Sequence, residues 1–178
     1  MMPKRYLPFL ILFVLITGWA CEQNERYKDE PFLQWRKANF RFLGDSADNR
    51  RVVDLTVYFT DGDGNVGSEG LSFDTCNLSN YQAFLNNYDL FIYYFEQVNG
   101  EFREIPPRDS CLPFHNILPD LEPEGQNKTL EGDITTPFDY SSFPLNNGVD
   151  SIRFELELKD RAGNRSGRVS SGAIAIQD

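Results

Sequence analysis

Two stretches of strict alternation, at 52–60 and 151–159, constrain this chain more than any other feature. In the first, Val53, Leu55, Val57 and Phe59 fall on one face; in the second, Ile152, Phe154, Leu156 and Leu158 do. A period of two marks a half-buried β-strand, because successive side chains point to opposite faces of a sheet. Both stretches run into the same kind of loop, Asp61-Gly62-Asp63-Gly64-Asn65 and Asp160-Arg161-Ala162-Gly163-Asn164. The shared Asp-x-x-Gly-Asn pattern is turn chemistry: the Asp carboxylate caps the turn, and Gly and Asn tolerate a left-handed backbone.

The rest of the chain reads the same way. Phe40 and Phe42 alternate within 38–43. The segment 89–98 is dense in aromatics and meets Asn99-Gly100, a strong two-residue hairpin signal, before returning through Phe102. Segments 129–136 and 168–176 read as weaker strands. Pro106, Pro107, Pro113, Pro119 and Pro123 break up a long irregular crossing between 101–106 and 129–136. Ser79 to Asn87 reads as a short helix capped by Ser79. Fifteen Phe and eight Tyr agree with strands. The expectation is an all-β fold, an immunoglobulin- or fibronectin-III-like β-sandwich of about seven strands: A (38–43), B (52–60), C (89–98), C′ (101–106), E (129–136), F (151–159) and G (168–176). In that topology the B–C and F–G loops share one end, which places the two Asp-x-x-Gly-Asn loops side by side.

The aromatic strand carries rings on both faces. Phe91, Tyr93 and Phe95 form one, expected to be core. Leu90, Ile92 and Tyr94 form the other, expected to lie under the Pro-rich crossing. Left uncovered, that face would be a platform for sugars or a partner protein.

Ahead of the sandwich, Lys4 and Arg5 precede the apolar run Leu7–Ile16 and then Gly18-Trp19-Ala20-Cys21. The run is shorter than the ~17–25 residues of a membrane-spanning helix and fits the apolar part of a cleaved signal peptide. Small residues before a cysteine resemble the lipobox of bacterial lipoproteins, in which that cysteine is acylated and becomes the mature N-terminus. The division expected is a signal peptide at 1–20, a polar tether at 21–31, and one domain at 32–178. Removing Lys4 and Arg5 leaves 15 basic against 27 acidic residues, a net charge of −12. Such a surface repels phosphate backbones, which argues against nucleic acid as a partner.

The segments Phe59–Gly67, Leu118–Ile134 and Leu158–Ser166, taken with the signal sequence, are similar to a family of uncharacterised Bacteroidota lipoproteins with an Ig-like domain. The resemblance implies an Ig-like fold and an envelope address, the outer membrane, on its periplasmic or surface face. It implies no activity.

Three residue sets carry the chemistry. Acylation at Cys21 leaves Cys76, in the B–C connection, and Cys111, after C′. Alternating strand directions bring them to one end, so a disulfide is expected, with two buried thiols as the alternative. Asp61, Asp63 and Asn65 alternate oxygen ligands as the start of an EF-hand does, and the topology brings Asp160 and Asn164 near. Calcium takes 6–8 oxygens. But Val66 and Ser72 stand where an EF-hand needs Gly and Glu, so the candidate is a weak calcium site against the simpler reading of turn formers alone. No cofactor is required. The sole histidine, His115, sits between Phe114 and Asn116 and reads as structural rather than as a base; no nucleophile elbow, phosphate loop or zinc pair is present. The expected role is a lipid-anchored cell-envelope protein, held to the membrane through Cys21, acting as a non-catalytic binding or structural module toward another envelope protein or a glycan. The alternative is a glycan-binding accessory or enzyme domain in polysaccharide processing.

Overall fold

The computed structural model describes residues 27–43, 50–68, 76, 78–121, 123, 128–140 and 148–176. The expected signal peptide, Cys21 and the first part of the tether lie outside these residues. Among the described residues, no helix is long and apolar enough to cross a membrane.

The domain is an all-β sandwich of two antiparallel sheets. Its strands are β1 (Phe32–Leu43), β2 (Arg50–Asp61), β3 (Leu90–Val98), β4 (Glu101–Glu104), β5 (Leu130–Asp139), β6 (Ser151–Leu158), β7 (Val169–Ser170) and β8 (Ile174–Ala175). One sheet has the order β1-β2-β5; the other runs β4-β3-β6-β7, with β8 also pairing β6. These are the A-B-E and C′-C-F-G sheets expected of an immunoglobulin-like sandwich.

The alternating faces meet between the sheets. Val53, Leu55 and Val57 of β2 and Ile152, Phe154, Leu156 and Leu158 of β6 are all at 0% exposure. At the centre the rings of Tyr94, Phe138 and Phe154 lie 5.0–5.4 Å apart. Each such side chain contributes about 1.5–3 kcal/mol by leaving water.

Three expectations need correction. The first strand starts at Phe32, not at 38; a bulge between Trp35 and Lys37 shifts its register on β2. This reverses the alternation, so Leu33 and Trp35 pack inward before the shift, and Ala38 and Phe40 after it. Ser79 does not cap the helix: a 3-10 turn (Leu78–Asn80) precedes α1 (Tyr81–Leu85), and Asn80 occupies the cap without a side-chain bond. Finally, the faces of β3 are the reverse of those expected. Leu90, Ile92 and Tyr94 belong to the inter-sheet core.

Phe91, Tyr93 and Phe95 therefore point outward, and cations and an imidazole cover them. The Arg153 guanidinium lies 4.3 Å from the Phe95 ring centre and 4.7 Å from that of Phe102. Arg165 stacks on Phe91 at 4.5 Å and Arg168 on Tyr93 at 3.5 Å. The Arg planes offset the loss of ring hydration on this outer face.

The last strand is also built unexpectedly. On the flank of β6 away from β3, β7 and β8 pair in two short ladders, and serines complete the edge. The Ser166 Oγ accepts the Leu158 N–H and the Ser171 Oγ accepts the Phe154 N–H, both at 2.9 Å. Each hydroxyl donates in turn to the carbonyl of the following glycine, at 2.7 Å.

Candidate functional site

The two Asp-x-x-Gly-Asn loops lie side by side. Val66 pairs with Asp160 in an antiparallel bridge, and the Arg161 N–H donates to the Asn65 carbonyl at 3.2 Å. Within each loop the first Asp receives the backbone N–H of the Asn four residues on. Asn65 donates to Asp61 Oδ2 at 2.9 Å, and Asn164 to Asp160 Oδ1 at 2.7 Å. The sequence echo is thus a repeated turn, used once at the exit of each central strand.

Side chains distinguish the two. The Asn164 Nδ2 donates to its own loop's Asp160 Oδ2 at 2.8 Å, which makes Asn164 a turn partner of Asp160. The Asn65 Nδ2 donates to Asp63 Oδ2 at 2.7 Å, which turns its Oδ1 away from that bond. One carboxylate oxygen from each of Asp61, Asp63 and Asp160 lies within 4.8 Å of the others. Asp61 and Asp160 are buried, at 0% and 1% exposure. Burial pushes the Asp61 carboxyl up to about 6, and the neighbouring Asp63 and Asp160 carboxylates add to the effect. Asp63 is raised too, by burial first, then by Asp160 and Asp29.

The loop is threaded tightly against its neighbours. Gly67 has φ +91°, and a Cβ there would stand 1.9 Å from the Pro119 carbonyl oxygen, so no side chain fits. On the other side Gly62 donates its N–H to the Lys28 carbonyl at 2.8 Å, and the Tyr27 hydroxyl donates to Glu131 at 2.7 Å. Tyr27 and Lys28, within the stretch read as a tether, thus bond to the sandwich.

Asp89, which the sequence reading did not single out, organises the other flank. Buried at 2% exposure, it accepts the Ser68 hydroxyl at 2.9 Å and the Leu118 N–H at 2.9 Å. It thus ties the β2–β3 connection and the Pro-rich crossing to the start of β3. Burial raises its pKa, while Leu118, Ser68 and the Lys159 and Arg161 charges oppose the rise. An Asp directly before an apolar strand was the only signal, and many surface turns share it.

Cys76 and Cys111 form a disulfide, their Cα atoms 5.5 Å apart, joining the β2–β3 connection to the crossing after β4. Further along that crossing His115 is structural. Its Nδ1 accepts the Ile92 N–H at 3.1 Å, a ladder donor past the end of β4, and its ring lies 4.8 Å from that of Phe91. The accepting Nδ1 makes this the neutral, Nε2-protonated tautomer. Burial holds its pKa down to about 4, and the Arg165 and Arg168 charges push the same way.

A separate open groove of about 670 Å³ is lined by Tyr27, Pro31, Phe32, Tyr58 and Arg165. Phe32 is 54% exposed at its rim.

No protein-family model, no curated protein and no solved structure matches this chain.

Proposed function

We propose that the chain is a lipid-anchored cell-envelope protein, attached through Cys21 to the outer membrane, whose sandwich domain serves as a non-catalytic binding or structural module. The observation that carries this reading is the Cys76–Cys111 bridge. Disulfides persist in oxidising compartments, as an exported protein requires. With those two paired, Cys21 is the third and last cysteine of the sequence, placed directly after the signal-like segment and available for acylation. The use made of His115 and Asp89 supports a non-catalytic role, since the His115 Nδ1 and the Asp89 carboxylate hold the crossing and the β2–β3 connection to β3. Where the chain enters the sandwich also bears on the role. The Lys28 carbonyl bonds Gly62 beside the acidic loops, so an anchor at Cys21 holds that end toward the membrane and turns the Asn99-Gly100 hairpin outward.

The test is Cys21→Ala in the native host. It is expected to abolish labelling by a radioactive or clickable fatty acid and to move the protein out of the membrane fraction; unchanged labelling and fractionation would refute the anchor.

One observation favours a second reading, a glycan-binding accessory role. Tyr27 and the exposed Phe32 give the open groove an aromatic wall of the kind on which sugar rings stack, beside Tyr58, whose ring carries Arg36 on one face at 4.7 Å. The β3 row offers no such platform, being covered by His115 and arginines. Binding to a polysaccharide that Phe32→Ala and Tyr58→Ala abolish would decide for it.

A further inference from the structure

We propose that Asp61, Asp63, Asn65 and Asp160 form a calcium site that joins the β2–β3 loop to the loop after β6. An acidic cluster alone would not justify a site, since Asp is a common turn former. The decisive observation is of another kind. The Oδ1 atoms of Asp61, Asp63 and Asn65 are each buried and, with the carboxylates ionised, accept no hydrogen bond among the described residues; only a proton shared between Asp61 and Asp63 could take the cation's place there. Asp61 is wholly buried, yet only its Oδ2 is bonded, to Asn65 N–H. A buried oxygen without a donor forfeits its hydration for nothing, and three of them within one five-residue loop leave a strong demand for a cation.

The geometry suits calcium. Oxygens on opposite sides of a calcium ion, bound at 2.3–2.6 Å, are about 5 Å apart. The carboxylate oxygens of Asp61, Asp63 and Asp160 lie within 4.8 Å of one another, so one ion can reach all three. Asn65 Oδ1 supplies a fourth, neutral oxygen, fixed in direction because Nδ2 is held by Asp63. Water completes the 6–8 oxygens calcium takes, an irregular shell that the octahedral habit of magnesium fits poorly. The hydrogen bonds from Asn164 to Asp160 leave each carboxylate oxygen a further lone pair. Three carboxylates brought together at 0–1% exposure for Asp61 and Asp160 repel one another, and a divalent cation removes that repulsion. The proposal does not depend on lipid anchoring.

The experiment uses the full chain purified in detergent, stripped with EGTA and titrated with calcium chloride at constant ionic strength by calorimetry. It is expected to show one site with a dissociation constant of ~10⁻⁴–10⁻³ M, the range of extracellular modules. In a thermal melt, 10 mM calcium should raise the midpoint by about 3–10 °C. Asp63→Asn, at the more accessible ligand, should weaken calcium at least tenfold and cancel most of the shift. Asp61→Asn should reverse the sign of the effect, melting higher than the wild type in EGTA and lower in calcium. Absence of binding heat and melting shift in the wild type up to 10 mM calcium overturns the proposal. So does a shift that sodium chloride reproduces at equal ionic strength, or one that both variants retain in full.

Discussion

Acid should loosen this domain through one residue that can be watched alone. His115 is the only histidine in 178 residues. Burial lowers its pKa from the ordinary 6.5 to about 4, because the charged form would be stranded beside Phe91 and near Arg165 and Arg168. Protonation at Nδ1 would also turn an acceptor into a donor facing the Ile92 N–H. The folded protein is thus harder to protonate than the unfolded chain, which takes up the proton first as pH falls. The stability held by neutral His115 is whole above pH ~6.5 and is lost progressively toward pH ~4; allowing for the ring's partial exposure, it amounts to roughly 2–3 kcal/mol. Carboxylates also titrate in this window, so the measurement is a difference. Urea unfolding of the wild type and of His115→Gln, whose side-chain oxygen accepts the Ile92 N–H without titrating, should diverge by roughly 2 kcal/mol between pH 7 and pH 4.5. The single Cε1–H resonance should titrate well below pH 6. A midpoint near 6.5, or parallel stability profiles for the two proteins, would refute the reasoning.

The disulfide closes 35 residues of chain, so the Cys76→Ser, Cys111→Ser double variant should lose about 4 kcal/mol in urea unfolding and about 8–15 °C in melting midpoint. A loss below about 1 kcal/mol would mean that the reduced chain already holds those segments together. Gly67→Ala meets both a left-handed φ and the Pro119 carbonyl, and should cost about 2–4 kcal/mol in the same assay. Gly163→Ala has the same handicap of φ, +90°, but nothing within 4 Å, and should cost only about 1 kcal/mol. Equal losses at the two positions would remove close packing as the cause.

What could be read from the sequence was whatever a single strand or turn dictates. β2 and β6 were evident because hydrophobic alternation is unbroken along them, and the two loops because Asp, Gly and Asn recur at one spacing. Their adjacency followed from topology, and the cysteine pairing with it. Phe32–Lys37 stayed hidden because a bulge shifts the period in mid-strand, so the pattern cancels when read as one phase. The faces of β3 were misassigned for a different reason. All six residues Leu90–Phe95 are apolar or aromatic, and what separates the faces is Arg153, Arg165 and Arg168, far off in sequence. At the acidic site, Asp61, Asp63 and Asp160 were grouped from the repeated loop pattern, and one carboxylate oxygen of each lies within 4.8 Å of the others. The echo gave no hint that each Asn side chain turns back on an Asp of its own loop, Asn65 on Asp63 and Asn164 on Asp160.

The Ser166 and Ser171 hydroxyls have a consequence for how copies of this protein behave toward one another. An uncovered strand edge is a template on which another chain can add a strand. Here the flank of β6 is closed by two-residue strands separated by side-chain oxygens, which satisfy the Phe154 and Leu158 amides without exposing a fresh run of backbone. At the margin of the other sheet, Pro137 in β5 removes one donor in the same spirit. Molecules packed densely on a surface would then find little to zip together along these two margins.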